Sequence, residues 1–255
     1  MHFSLSRSGM IKVFIDFDGT ITKQDVGDAM FETFGGKVSN DAVGQYREGT
    51  ISARQCFERE CEACGEVDRN ALVKFLNQQT IDNSFPDFVQ FCRANTIDQY
   101  ILSDGMDFYI NRILYNYNLS NVPFFSNCLV LEPVDATGKV KFIPSFPYTD
   151  EICERCASCK RNHMMTICAD DDIIVYIGEG YSDRCPARFA DVVFAKDDFL
   201  QYCRKESIPC YEYTTFADIQ YRMQALINDR HSGKRSALKK RKLALLARQE
   251  LLMGG

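Results

Sequence analysis

No stretch of the 255-residue chain approaches the roughly 18 consecutive apolar residues of a membrane span, so neither a transmembrane helix nor a membrane partner is expected. The first ten residues, MHFSLSRSGM, are too polar for a secretory signal, and the apolar run that follows is broken by Asp16 and Asp18. A cytoplasmic location is the expectation. The framework of a small disulfide-rich protein is also missing: the twelve cysteines sit in a chain long enough to bury a full core, and most read as reduced thiols. Basic charge is scarce outside the C-terminus. The tail from Arg230 to Gly255 carries eight Lys and Arg against Glu250 alone, about +7, which leaves about −12 for the rest of a net −5. An acidic body argues against nucleic acid as a partner and suits a site that gathers carboxylates around a metal ion.

What the chain does have is Lys12 to Thr22, KVFIDFDGTIT. An apolar run ends in two aspartates separated by one residue. Strand alternation sends Ile15 and Phe17 to one side and delivers Asp16 and Asp18 together to the other, at the carboxyl end of the strand. Gly19 then permits a sharp turn. From Val26 the spacing is helical, and helices are expected over Val26 to Phe34, Ser39 to Tyr46, Ser52 to Cys64 and Asp68 to Asn77, with no strand among them. Residues 23–80 thus read as a helical cap inserted into a core of residues 1–22 and 81–229, and residues 230–255 as a basic helical tail. Asp98 to Leu102 reads as a second strand, ending in Ser103-Asp104-Gly105. Phe124 to Leu131 and Lys139 to Phe146 read as a β-hairpin flap. Ile173 to Ile177 is an apolar strand ending in Gly178-Glu179-Gly180-Tyr181-Ser182-Asp183, and Asp191 to Ala195 is another, with helices between and after. The expected fold is α/β: a Rossmann-like, mostly parallel sheet with helices on both faces. Ligands bind at the carboxyl ends of such strands, where Asp16, Asp18, Ser103, Glu179 and Asp183 converge. Two aspartates, a hydroxyl beside glycine, Lys160 and a further acidic pair suit phosphoryl transfer, with Mg²⁺ to balance the acids.

These motifs, DFDGT, Ser103 after a strand, Lys160 and GEGYSD, resemble the haloacid dehalogenase superfamily of aspartate-nucleophile phosphatases, in the subfamily that contains phosphoserine phosphatase. SDGMDFY, the hairpin near Asn127 and CERCASCK before the lysine are similar to the phosphatases of methionine salvage that act on 2-hydroxy-3-keto-5-methylthiopentenyl-1-phosphate. The resemblance implies a Mg²⁺-dependent hydrolase of a small phosphorylated metabolite. In it Asp16 attacks phosphorus to form an aspartyl-phosphate, and Asp18 serves as acid and base. Ser103, Lys160 and the backbone at Asp104 and Gly105 hold phosphate. Asp16, the Asp18 carbonyl and Glu179 ligate the metal, with Asp183 behind them. Two residues depart from the family pattern. Glu179 replaces the usual aspartate, and Asp104 replaces a glycine, where it is expected to point away or to cap the helix starting at Met106. Those departures motivate the competing reading of a phospho-ligand binding protein without turnover; phosphoserine or another phospho-metabolite is the alternative substrate.

Several features carry two readings. Asp25 contacts substrate or simply opens a helix. Arg54 and Arg59 face the site from the cap or lie on its surface, with Glu60 near the position where phosphoserine phosphatases place a carboxylate-binding arginine. Cys153, Cys156 and Cys159 bind structural zinc or form a packed turn that orients Lys160. Cys61 and Cys64 read as core. The KKRK run at Lys239 to Lys242, followed by leucines, serves self-association or a partner contact, or is solvated.

Overall fold

The computed structural model describes residues 9–134, 136–150 and 155–231. Its centre is β1 (Ile11–Ile15), flanked on both sides by parallel partners: β3 (Asp98–Met106), with Ile15 beside Ile101, and β6 (Ile173–Gly178), with Ile15 beside Ile177. Outward on one side β7 (Val192–Ala195) and β8 (Tyr211–Glu212) add in parallel. On the other side β4 (Phe124–Pro133) is parallel to β3, then β5 (Lys139–Ser145) turns back antiparallel. With β2 (Val67–Asp68) at the far edge, the eight-stranded order is β2-β5-β4-β3-β1-β6-β7-β8. The sheet is therefore mostly parallel, as the strand and helix alternation requires.

Helices cover both faces, and side-chain parity along β1 decides which. Val13, Ile15 and Phe17 join the larger buried cluster, with Phe85, Phe88 and Val89 of α5 (Phe85–Ala94), Tyr109, Ile110 and Ile113 of α6 (Asp107–Asn116) and Phe216 and Ile219 of α9 (Phe216–His231). Phe14 joins the second cluster, with Met164 of α7 (Lys160–Ile167) and Phe199, Leu200 and Cys203 of α8 (Asp197–Lys205). Asp16 follows the parity of Phe14, which aims its carboxylate toward α7 and thus toward Lys160.

Between Thr22 and Ile81, which form an isolated antiparallel bridge, lie α1 (Val26–Gly35), α2 (Lys37–Glu48), α3 (Ala53–Cys64) and α4 (Arg69–Asn77). Their starts follow from local chemistry. Asp25 accepts from the Asp28 amide, Ser52 and Gln55 make a reciprocal capping box, and Asp68 accepts from the Ala71 amide. The sequence expectation of no strand in this region needs correction: Val67 and Asp68 pair antiparallel with Val140 and Lys139 of the hairpin. Two residues are too short for a periodic signal, and the pairing is made by a distant partner. Phe31 and Phe57 extend the same junction, against Phe142 and Phe146.

The second strand also differs from its expected end at Leu102. It continues to Met106, which pairs with Asn127 after a register shift, so Ser103, Asp104 and Gly105 occupy a bulge inside the strand. β8 was not legible in the sequence. Asp135 of the expected hairpin turn, and the tail beyond His231 with its KKRK run, fall outside the described residues. Among the described residues no helix is long and apolar enough to cross a membrane.

The aromatic cluster beneath α9 sets a stability test. Phe216 is fully buried, with ring centroids 4.8 Å from Phe85 and 5.2 Å from Phe88. Phe216→Ala is expected to lower the unfolding free energy by about 3–5 kcal/mol in urea titration. Tyr221→Ala on the exposed face of the same helix should stay within about 0.5 kcal/mol.

Candidate active site

The carboxyl ends of β1, β3 and β6 bring the expected residues together. The Lys160 ammonium, at the first residue of α7, donates to Asp16 Oδ1 at 2.6 Å, to Ser182 Oγ at 2.9 Å and to Asp183 Oδ1 at 2.8 Å. Lys160 is 3 % exposed, and burial alone would favour its neutral form; the two carboxylates overrule that and raise its pKa well above the usual lysine range. Asp16 Oδ2 accepts from Thr20 Oγ1 at 2.9 Å. Burial and the adjacent Asp183 push Asp16 up, while Lys160 pulls it back.

Asp18 is held from both sides. Its Oδ1 accepts from the amides of Val26 and Gly27 at the start of α1, and its Oδ2 accepts from Tyr109 Oη at 2.7 Å and Ser103 Oγ at 3.3 Å. Burial raises its pKa, against the pull of these donors. Gly19, at φ +67°, makes the turn that follows, and a Cβ there would meet the Glu179 carboxyl carbon at 2.9 Å. The Glu179 carboxylate therefore rests on the β1 turn, and its longer side chain reaches the same centre. Burial and the carboxylates of Asp183 and Asp197 raise it to about 7.

Asp183 is wholly buried, and both of its oxygens are committed. Oδ1 accepts from Lys160 and Tyr176, and Oδ2 from the amides of Glu179 and Gly180. Its geometry is that of an anchor for Lys160 and for the Glu179 turn. Asp104 also takes a different place from the expected helix cap. Its Oδ1 accepts from the Ser158 amide at 2.7 Å and its carbonyl accepts from Asn127 Nδ2 at 2.6 Å, so it ties the bulge in β3 to the loop that leads into Lys160. The start of α6 has no side-chain cap bond.

A cavity of about 510 Å³ opens from Asp16 and Asp18 toward α1, α2 and α3. Asp25, Asp28 and Glu60 give it an acidic wall, Val43, Tyr46, Phe57 and Tyr181 an apolar one, and Arg47 and Arg184 its cationic groups. Asp25 both caps α1 and lines the cavity; burial and the nearby Asp18 and Asp28 raise its pKa well above the usual range. Glu60 is 2 % exposed and accepts from Ser39 Oγ at 3.2 Å. Burial and Asp28 lift it to about 8.

With this geometry in view, the chain matches over residues 11–210 the family described as "Putative Phosphatase". The chain belongs to this phosphatase family. It is a phosphatase of the haloacid dehalogenase superfamily, similar at 30 % identity over 240 residues to Pdp3-interacting factor 1 of Schizosaccharomyces pombe, with 87 % of this chain and 98 % of the relative covered. The 2-hydroxy-3-keto-5-methylthiopentenyl-1-phosphate phosphatase of Bacillus cytotoxicus is 29 % identical over 220 residues, covering 85 % of this chain and 97 % of its own. In fold, the phosphatase is similar to a phospho-aspartyl intermediate analogue of phosphoserine phosphatase at TM-score 0.60 and 16 % identity, over 83 % of this chain and 97 % of that one.

Two expected specificity residues of the phosphatase do not line the cavity. Arg54 is exposed and stacks on Phe146, 5.4 Å from the ring centroid, and Arg59 is exposed and donates to Gln45. α3 turns Ala53, Cys56, Phe57 and Glu60 inward instead, the spacing of one helical face. Arg47, Arg184, Tyr109, Thr20 and Ser182 are site residues that the sequence did not single out. Of these, Thr20 and Ser182 had a signal in standing within the two acidic motifs.

The candidate zinc ligands form no site among the described residues. Cys153 lies outside the described residues, and no three His, Cys, Asp or Glu among the described residues are placed to enclose an ion. Mg²⁺ asks for less, one or two carboxylates with waters, and the oxygen-only donor set of Asp16, Glu179 and the backbone at Asp18 suits it. Asp16, Asp18 and Glu179 are all pushed up by burial, with the nearby Asp183 adding to the push on Asp16 and Glu179, and a hard dication would favour their ionised forms.

Glu60 contributes to the pH dependence of stability. Its folded pKa lies above the unfolded value, so its contribution is fully present below about pH 4.5 and is lost as pH rises through about 8. Glu60→Gln should flatten that loss. Thermal melting at pH 6 and pH 9 is expected to show a smaller drop for the variant, with a difference bounded by about 3 kcal/mol.

Proposed function

We propose that this phosphatase hydrolyses a small phosphate monoester through an aspartyl-phosphate on Asp16, with Mg²⁺ as cofactor and residues 23–80 acting as a cap over the site. The observation that supports the reading most directly is the buried Lys160 ammonium, 2.6 Å from Asp16 at the carboxyl end of the central strand. An incoming phosphate would meet Lys160 and Ser103 as donors, with the Gly105 amide holding the Ser103 hydroxyl, Asp16 behind phosphorus and Asp18 beside the leaving oxygen. Mg²⁺, held by Asp16, Glu179 and the Asp18 carbonyl, would supply charge to offset the phosphate oxygens. Asp183 then acts as the anchor of Lys160 and the Glu179 turn rather than as a ligand. Asp104 Oδ1 is tied to the Ser158 amide, which gives that residue a part in holding the loop before Lys160 and weakens the reading of a binding protein without turnover.

The cavity favours a neutral leaving group. Of the cavity's two cations Arg47 is paired with Asp28 and Arg184 lies over the Tyr181 and Tyr202 rings, and Arg54 and Arg59 do not reach in to bind a carboxylate, which counts against phosphoserine. The walls formed by Val43, Tyr46, Phe57 and Tyr181 suit an uncharged chain such as that of 2-hydroxy-3-keto-5-methylthiopentenyl-1-phosphate, the substrate in the name of the Bacillus cytotoxicus relative.

Phosphate release from p-nitrophenyl phosphate should require Mg²⁺ and stop with EDTA. Asp16→Asn should lower it at least about 10³-fold while a cooperative urea transition is retained; release at the wild-type rate would remove Asp16 as nucleophile. In a panel of phosphorylated metabolites, uncharged esters should exceed phosphoserine in kcat/KM by about tenfold or more.

A further inference from the structure

Tyr109 lies in the first turn of α6, wholly buried, and its hydroxyl donates to Asp18 Oδ2 at 2.7 Å, the shortest bond that carboxylate makes to a described side chain. The surrounding backbone is shaped around that hydroxyl. A Cβ on Gly105 would fall 1.6 Å from Tyr109 Oη and 2.7 Å from Asp18 Oδ2, and a Cβ on Gly27 would fall 3.2 Å from the same hydroxyl. Two segments distant in sequence, the bulge of β3 and the start of α1, thus have glycine where any side chain would crowd or displace Tyr109.

The pattern of acceptors on Asp18 gives this contact a purpose. Oδ1 is taken by the Val26 and Gly27 amides. Oδ2 has two lone-pair directions. Tyr109 occupies one, and the other faces Ser103 Oγ at 3.3 Å, the side on which phosphate would bind. The Ser103 bond is the long one of the two, so a proton on Oδ2 would take that direction, toward the ester, once Ser103 turns its hydroxyl to the phosphate.

We propose that Tyr109 is a positioning residue for Asp18, fixing Oδ2 so that its proton is aimed at the leaving oxygen of the substrate. This rests on the acid–base reading of Asp18 given above. As an Asp16 oxygen bonds to phosphorus, the bond from phosphorus to the leaving oxygen breaks and the Asp18 proton passes to that oxygen. Asp18 ends as a carboxylate, with Tyr109 still donating to Oδ2 and the freed lone pair ready to take a proton from water in the second half of the cycle.

Proton delivery matters most when the leaving group is a poor one, and a merely structural role for Tyr109 would slow all substrates alike. The test compares kcat/KM, which reports steps through departure of the leaving group, for p-nitrophenyl phosphate and for an alkyl phosphate that the wild type hydrolyses. The full-length wild type, Tyr109→Phe, Asp18→Asn and the double variant are assayed with Mg²⁺, and urea midpoints verify folding. Tyr109→Phe is expected to lose about tenfold or more on the alkyl ester beyond its loss on the nitrophenyl ester, and to add nothing to that bias in the Asp18→Asn background. If Asp18→Asn shows the bias and Tyr109→Phe loses equally on both esters, or on neither, the positioning role is overturned. If Asp18→Asn itself shows no bias, the acid–base reading falls and the role of Tyr109 falls with it.

Discussion

A single buried ammonium organises the centre of this phosphatase. Lys160 reaches from the first residue of α7 to Asp16 at the end of β1 and to Ser182 and Asp183 in the turn after β6. Taking one lysine and two carboxylates out of water is costly, and the attraction between them offsets that cost only while every oxygen keeps a donor. Thr20 supplies one for Asp16; Tyr176 and the amides of Glu179 and Gly180 complete Asp183. The geometry of three separate chain segments is thus fixed by one charge, and removing it would leave two acids facing each other in the interior. A site of this kind is rigid before substrate arrives, which is what positioning of a phosphoryl group demands.

Asp104 shows how the same economy extends outward. A glycine at that position would leave the loop before Lys160 without its link to β3. The aspartate instead accepts the Ser158 amide, two residues from the lysine, while Asn127 from β4 secures its carbonyl. The residue that looked in sequence like a like-charge intruder beside phosphate is occupied in holding the loop of the residue that would bind phosphate.

The parallel sheet and the convergence of Asp16, Asp18, Ser103, Glu179 and Asp183 were legible in the sequence because they depend on local signals: an apolar run, then polar residues at a glycine turn, repeated along the chain; Lys160 has no such signal, and its place came from the resemblance. What was not legible depends on partners far away in sequence. β2 is two residues that become a strand only because the hairpin is beside them. Arg54 and Arg59 have the right chemistry on the wrong face of α3; Arg47, on α2, lines the cavity because of how α2 packs, which no spacing within α2 reveals. Asp104 follows the same rule, since its partner Ser158 lies 54 positions away.

The strand pairing at Val67 and Asp68 has a further mechanical meaning. The insertion is fastened to the rest of the chain at the Thr22 to Ile81 bridge and again at β2 against β5, with the Phe57 to Phe146 contact beside the second point. A body pinned at two separated points keeps one rotation, about the line that joins them. Were the cavity to open, a swing about that line is the motion the two attachments would leave, and it would have to part the Ala53 amide from the Arg155 carbonyl and the Tyr46 ring from Tyr181.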